Sequence, residues 1–311
     1  MDIVFSSNSF SPKKKTIVTV GTFDGVHLGH QKIIQQLVEE ARRKDLAATL
    51  LTFDPHPRKV VQPDVPMILI QTLEERTQAL TALGLDYVVV HPFTRAFAQL
   101  SAEEYAKELL VDTLNVAQII VGHNHRFGKN RGADYADLER YGQQYGFEVT
   151  QISAKIIDDV SVSSTKIRQA ILEGDIATAQ RFLGRPFVLT GNVMAGQQKG
   201  RTIGFPTANL VLNSPDKIIP RKGAYAVVVT VDNAKHLGMM NIGTNPTVNG
   251  QTTSIEVHLI NWTGDLYNQT ITVAMLNRLR DEIKFDSINE LKKQLEKDKA
   301  AVLTAYNTLP L

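Results

Sequence analysis

Apolar residues in the first half of the chain fall into short continuous runs, and these alternate with stretches of helical spacing. Ile17, Val18, Thr19 and Val20 are β-branched in succession, the pattern of a central parallel strand covered on both faces. From Leu28 the apolar positions become Leu28, Ile33, Ile34, Leu37, Val38 and Ala41, which predicts a helix. The pattern then predicts strands over 47–53, 87–91, 118–121 and 148–152, with helices over 72–83, 102–114 and 135–145 between them. So regular an alternation predicts a doubly wound, Rossmann-like α/β domain with a parallel sheet over about residues 14 to 155.

A short helix over 176–182 and the break LGRPF follow, and from Phe187 the texture changes to β-rich runs separated by Gly, Pro and Asn. Candidate strands at 188–194, 224–231, 236–242, 255–261 and 270–275 predict a small antiparallel β-barrel. A long amphipathic helix with Ile288, Leu291, Leu295 and Val302 among its apolar positions closes the chain. The expected organisation is therefore an α/β domain over 1–184 and a barrel with a C-terminal helix over 185–311. No internal repeat or low-complexity segment interrupts it.

At 311 residues two cores are expected, since single cores stop growing near about 250–300 residues. Cysteine is absent, the net charge is +2, and 21% of residues are charged. This describes a protein that does without disulfides and is expected in the cytoplasm. The first residues lack an apolar core of signal-peptide length, and no apolar run is long enough to span a bilayer, so no membrane partner is expected. Lys13, Lys14 and Lys15 read as a solvated lead-in to a strand, so no nucleic-acid partner is expected either. The oligomeric state is left open.

The candidate chemistry begins where the first strand ends, in GTFDGVHLGH. Gly21, Gly25 and Gly29 let backbone approach a ligand, and the N–H groups and positive dipole end of the following helix favour an anion. His27 and His30 stand three apart at the helix start. Neither G-x-x-x-x-G-K-[ST] nor G-x-G-x-x-G is present, so histidines take the place of the P-loop lysine. Imidazoles there can donate to oxygens that gain charge as a phosphoanhydride is cleaved. Metal ligation by the pair is less favoured, because H-x-x-H without cysteine or nearby carboxylates is a poor zinc pattern.

Further groups leave the same carboxyl edge, where ligands bind in open α/β sheets. Asp54, His56 and Arg58 follow the second strand, where Pro55 and Pro57 are expected to end regular structure. The loop GHNHRFGKNRGAD supplies Asn124 for a ribose or phosphate, Arg126 and Arg131 for anionic oxygens, and Phe127 for a ring. Ser163, Ser164 and Thr165, with Lys166 and Arg168 close behind, precede a helical run and can cap it or bond phosphate. In the barrel, GQQKGRTIGFPTAN reads as a second phosphate loop with Gly196, Lys199, Gly200 and Arg201. Its Thr207 and Asn209 are hard oxygen ligands of the kind Mg²⁺ accepts beside phosphates. Glu256 alternates with Ile255 and Val257, and can take a proton from a substrate hydroxyl.

Taken in order, GTFDGVHLGH, LTFDPHP, VGHNHRFGKNRGAD, SSTKIR, LGRPF, GRTIGFPTAN, GAYAV, NIGTNPT, IEVHLINWTGDLY and LRDEIKF make nearly the whole chain resemble the bacterial bifunctional riboflavin kinase/FMN adenylyltransferase (FAD synthetase) family. The resemblance implies that the first domain joins AMP from ATP to FMN, giving FAD, and that the barrel phosphorylates riboflavin with ATP and Mg²⁺. It implies that His27 and His30 polarise ATP phosphates, within a nucleotide site that includes Gly21, Phe23, Asp24, Gly25, Gly29, Asn124, Arg126, Ser163, Ser164, Thr165 and Arg168. It further implies that Thr207 and Asn209 hold Mg-ATP and that Glu256 is the base for the riboflavin hydroxyl. His125, Val248, Asn261 and Asn268 depart from the pattern expected of the family. Two alternatives stay open at this point, an adenylyltransferase for another substrate with a regulatory barrel and a flavin-binding protein without catalysis.

Overall fold

A computed structural model describes residues 1–122, 125–152, 162–194, 200, 203–247 and 250–306. The chain divides into two compact units, Met1–Ser164 and Thr165–Leu311.

The first unit is built on a six-stranded parallel sheet. Its strands are β1 (Asp2–Val4), β2 (Thr16–Val20), β3 (Ala47–Asp54), β4 (Tyr87–Pro92), β5 (Val116–Gly122) and β6 (Glu148–Ile152), in the order β1-β4-β3-β2-β5-β6. Alternate residues feed two separate cores, as the two-residue period of a strand requires. Ile17, Ala48, Leu50, Val88 and Val90 join Ile34 and Leu37 of helix α1 (Leu28–Lys44) on one face. Val18, Leu51, Val89, Ile119 and Val121 join Leu109, Leu110 and Leu138 on the other.

Besides three-residue helical turns, this unit carries α2 (Pro57–Val61), α3 (Leu73–Thr81), α4 (Tyr105–Thr113, wound as a π-helix) and α5 (Tyr135–Tyr145). Pro57 does not end regular structure as expected. It occupies the first turn of α2, where its missing N–H would lack a partner in any case. Strand β1 was also not expected, since three residues at an edge leave no periodicity to read.

From β2 the chain moves to β3 and β4 on one side of the sheet and only then crosses to β5 on the other. The carboxyl ends of β2 and β5 thus flank the topological switch point, where open α/β sheets bind ligands.

The second unit begins at Thr165 within α6 (Ser164–Glu173), runs through α7 (Ile176–Leu183) and continues into a closed barrel. Its strands are β7 (Val188–Met194), β8 (Ala208–Leu212), β9 (Gly223–Val231), β10 (Ala234–Thr247), β11 (Gly250–Leu259) and β12 (Thr270–Arg280), closing in the order β10-β11-β8-β7-β12-β9. Val227, Val229, Val257, Val273 and Met275 are buried on one face of their strands, while Ala226 and Val228 pack with Val302 of the closing helix α8 (Ile288–Tyr306). A fork of hydrogen bonds from Arg280 on β12 to the buried Asp298 on α8 (2.8 to 3.2 Å) ties this helix down.

The sequence pattern predicts five of these barrel strands but not β8, whose first two residues, Ala208 and Asn209, fall in the expected phosphate loop. Asn209 is therefore strand-borne, not loop-borne. Helix α7 is held on the barrel by Gln180, which donates to the Met275 and Leu276 carbonyls. Asp232 and Asn233, both at positive φ, form the two-residue turn between β9 and β10. Asn261 (φ 54°) and Asn268 (φ 62°), which depart from the family pattern, occupy left-handed positions that Asn tolerates better than most side chains.

Candidate active sites

In the first unit, His27 is the N-cap of α1: its Nδ1 accepts a hydrogen bond from the His30 backbone N–H at 3.3 Å. That bond requires an unprotonated Nδ1, so the neutral ring carries its proton on Nε2. The two imidazoles stack with centroids 3.7 Å apart and planes 14° from parallel. Phe23 stands edge-on to His30 at 5.0 Å. A Cβ added to Gly29 would come within 3.3 Å of the His27 ring, so glycine there keeps room for the stack. The predicted pair is thus one rigid donor unit at the positive end of a helix dipole.

Asp24, which the resemblance puts in the nucleotide site, has its carboxylate engaged with the backbone. It is buried, and its two carboxylate oxygens accept from the Ile70 and Gln71 N–H groups at 3.0 Å each. Its backbone carbonyl accepts from the Ser164 hydroxyl, also at 3.0 Å. Asp24 and Ser164 therefore brace the loop. Thr165 and Arg168 lie on α6 in the second compact unit. Asn124 lies outside the described residues, as do Gly196, Lys199, Arg201 and Val248.

Beside the histidine loop a cleft of about 810 Å³ opens across the ends of β2, β3, β4 and β5, lined among others by Gly21, Thr22, Arg58, Arg126 and Arg131. A row of rings runs through it. Phe53 to Phe93 and Phe93 to Phe97 are each 5.4 Å between centroids, and Tyr105 to Phe127 is 5.2 Å. Such a slot suits a flat, polycyclic, partly apolar ligand. Of these aromatic residues the sequence reading named only Phe127. Phe93 and Phe97 follow the β4 carboxyl edge four residues apart, a signal that periodicity passes over because Phe93 lies outside any helix or strand and Phe97 opens a 3-10 turn of only three residues.

His125 also lines this cleft and packs nearly parallel to Phe127 at 5.9 Å. Burial and, second, the Arg131 charge push its pKa down to about 4, so it is neutral near pH 7. Arg126 is paired with Asp134 at 3.1 Å.

The second site lies on the barrel. Glu256 on β11 is directly opposite Asn209 on β8 and Asn241 on β10, so three polar residues share one face across three strands. Thr207 Oγ1 donates to Glu256 Oε2 at 3.3 Å and fixes the carboxylate. Two residues on, His258 Nδ1 pairs with the Pro206 carbonyl at 2.8 Å, and burial lowers its pKa. That ring acts as a strut for the Pro206–Thr207 turn. A cavity of about 360 Å³ adjoins, walled by Pro206, Thr207, Val257, Trp262, Leu266 and Tyr267.

The competing acids are already engaged, although Asp265 also lines this cavity. Asp281 pairs with Arg278 (2.6 Å) and Arg221 (3.3 Å), and Asp265 accepts from the Tyr267 N–H. Gly200 makes a backbone contact to Phe205, its carbonyl accepting from the Phe205 N–H.

Two family models match the chain in succession, one described as FAD synthetase over residues 9–166 and one described as riboflavin kinase over residues 183–306. The bifunctional riboflavin kinase/FMN adenylyltransferase of Escherichia coli (strain K12) is 40% identical over 93% of this chain and 92% of its own. That of Haemophilus influenzae is 35% identical over 94% of each. A solved structure from Streptococcus pneumoniae, described as a macrolide-efflux protein, shares 32% identity and superposes with a TM-score of 0.85 over 97% of this chain and 98% of that one. No helix among the described residues here is long and apolar enough to cross a membrane. With both family models matched and identity sustained along the chain, the protein belongs to the bifunctional riboflavin kinase/FMN adenylyltransferase family.

Proposed function

We propose that residues 185–311 transfer the γ-phosphoryl group of ATP to riboflavin, giving FMN and ADP, and that residues 1–184 transfer AMP from a second ATP to FMN, giving FAD and pyrophosphate. The observation that carries this reading is that each of the two matched stretches contains its own site of the appropriate chemistry. Because both reactions consume ATP, we place the enzyme in the cytoplasm.

In the first reaction the riboflavin hydroxyl attacks the γ-phosphorus while Glu256 accepts its proton, and the bond to ADP breaks. Thr207 and Asn209 offer neutral oxygens rather than charge. Among the described residues no cluster of three or more His, Cys, Asp or Glu side chains stands ready to hold a metal unaided. That donor set fits a cation that arrives with the nucleotide, which we take to be Mg²⁺. When bound, it neutralises phosphate charge.

In the second reaction an FMN phosphate oxygen attacks the α-phosphorus and pyrophosphate leaves. In this reading His27 Nε2–H and His30, at the start of α1 beside the cleft, donate to phosphate oxygens as charge develops, and the α1 N-terminus adds its dipole. The aromatic row holds the flavin ring, with Arg58 and Arg131 at the cleft available to its phosphate. Incubating the full chain with riboflavin and Mg-ATP, and resolving the flavins chromatographically, tests the reading. FMN should appear first and FAD after it, and failure to form either product defeats the corresponding half.

A further inference from the structure

The loop that carries the histidine pair is held in a conformation its residues do not favour. Phe23 (φ 48°), Gly25 (φ 91°) and Val26 (φ 39°) all lie in the left-handed region. A bulky and a β-branched side chain there persist only where the surroundings over-determine the backbone. Those surroundings include the segment 70–76, to which the sequence reading gave no role. Ile70 and Gln71 hold the Asp24 carboxylate from one side. Thr72 and Glu75 then form a reciprocal capping box that fixes the start of α3.

One position further on, Arg76 Nη1 donates to the Thr22 carbonyl at 2.8 Å and Nη2 to the Phe53 carbonyl at 3.2 Å. Thr22 precedes the strained residues, and Phe53 belongs to the aromatic row. One planar fork therefore locks together the carboxyl ends of neighbouring strands β2 and β3. Arg76 is 4% exposed, and burial lowers its pKa from the ordinary arginine value without making it neutral. Its Nε–H finds no acceptor among the described residues. A buried guanidinium with a donor unspent is a poor choice for filling space, which an apolar side chain would do without the desolvation penalty. Thr52 Oγ1 on β3 also donates to the Thr22 carbonyl, at 3.3 Å, so the Arg76 fork reinforces a neutral link already present between the two strand ends with a charge-assisted one.

We propose that Arg76 is a positioning residue for adenylyl transfer, acting with Asp24 as a two-point clamp that holds the His27–His30 unit in register with the flavin cleft. The proposal rests on adenylyl transfer being the reaction of the first unit. Arg76 does not line the cleft and works through the two carbonyls it joins.

The test uses the full chain as wild type, Arg76→Gln, Arg76→Lys, Asp24→Asn and the Arg76→Gln/Asp24→Asn double variant. Each is assayed for FAD formation from FMN and for riboflavin phosphorylation. Wild type that makes no FAD would refute the underlying reading and not the clamp. Given an active wild type, Arg76→Gln should lower kcat for FAD formation on the order of 10²-fold, the loss expected for reacting groups displaced by about 1 Å. KM for ATP should change far less, and riboflavin phosphorylation should be unchanged. Arg76→Lys should recover part of the loss, since an ammonium can reach one carbonyl but has no fork for two. The double variant should lose less than the product of the single losses, because both residues constrain one loop. A wild-type kcat in Arg76→Gln, an equal fall in both activities, or a strictly multiplicative double variant would each overturn the proposal.

Discussion

The two sites handle the same nucleotide with different architecture. In the first unit most groups of the proposed site, Phe53 of β3 apart, stand on a loop or helix start beyond a strand end, and the histidine loop is braced by Arg76, Asp24 and Ser164. In the barrel the key groups are carried by paired strands: Glu256 and Asn209 are a register pair, and Thr207 adjoins the start of β8. A ladder fixes side-chain direction through its own backbone bonds, so the barrel site needs fewer outside supports. The adenylyltransferase site gains a long aromatic slot at the switch point and is correspondingly more dependent on distant residues.

The largest expected effect is in the barrel. Glu256→Gln keeps shape and removes basicity, so single-turnover phosphorylation of riboflavin should fall by about 10²–10⁴-fold, the usual range for general-base help. FAD formation from supplied FMN should continue. Asp281→Asn is the contrasting variant, since its partners Arg278 and Arg221 mark it as structural. A near-normal rate for Glu256→Gln and a collapse for Asp281→Asn would move the base to Asp281.

The mirror experiment is His27→Ala or His30→Ala. Each removes a donor at the dipole end of α1, and FAD formation should fall on the order of 10²–10³-fold, with phosphorylation of riboflavin nearly untouched. His27→Ala also deletes the cap of α1, whereas His27→Asn can restore a cap without restoring an imidazole. If His27→Asn forms FAD at the wild-type rate, the histidine acts as a cap and the catalytic assignment fails. Parallel loss of both activities in a folded variant would break the separation of the sites.

A smaller effect is expected from Thr207→Ala and Asn209→Ala. Loss of one neutral oxygen from the proposed cation site should raise the Mg²⁺ concentration needed for half-maximal kinase rate by roughly tenfold or more. Thr207→Ala also frees Glu256 from its hydrogen bond, so it should lower the rate at saturating Mg²⁺ as well. Asn209→Ala should act mainly on the metal requirement. An unchanged Mg²⁺ titration in both would remove them from the cation site.

Much of this architecture is legible in the sequence. Long apolar strands and helices of the first unit announce themselves by period, and the histidine pair by its place after a glycine-rich turn. What escaped reading was either too short to carry a period, as with β1 and β8, or assembled from distant residues. Arg76 is an unremarked charge in LEERTQAL until the fold brings it under Thr22 and Phe53. Asn209 looked like a loop ligand because GFPTAN carries a proline and polar residues, and only the pairing with Glu256 shows the strand. Asp24 enters the expected nucleotide site only through the resemblance, and the partners of its carboxylate, two backbone N–H groups 46 and 47 residues away, have no local signal.

The same contrast should be visible in acid, where the effect is smaller but its sign is fixed. His91, which pairs with the Ser7 hydroxyl at 2.6 Å beside Phe53 and Phe97, has its pKa pushed down to about 4 by burial, and His125 is likewise near 4. Above about pH 6.5 both rings are neutral in folded and unfolded chains alike, and acid exacts nothing. As pH falls from 6.5, the unfolded chain takes up protons that the folded unit refuses until about pH 4, so stability is lost across that window and levels off below it. In the barrel, burial also lowers the pKa of His258, but the Pro206 carbonyl opposes the shift. Heating the full chain at pH 5 and at pH 7.5, then assaying both reactions at pH 7.5, should show FAD formation losing more of its heat resistance at pH 5 than riboflavin phosphorylation does. The difference should amount to several degrees in the half-inactivation temperature. His91→Phe, which cannot be protonated and keeps an aromatic ring beside Phe53 and Phe97, should narrow that difference. Equal acid sensitivity of the two activities, or no response to His91→Phe, would show that these buried imidazoles do not set the acid limit of the first unit.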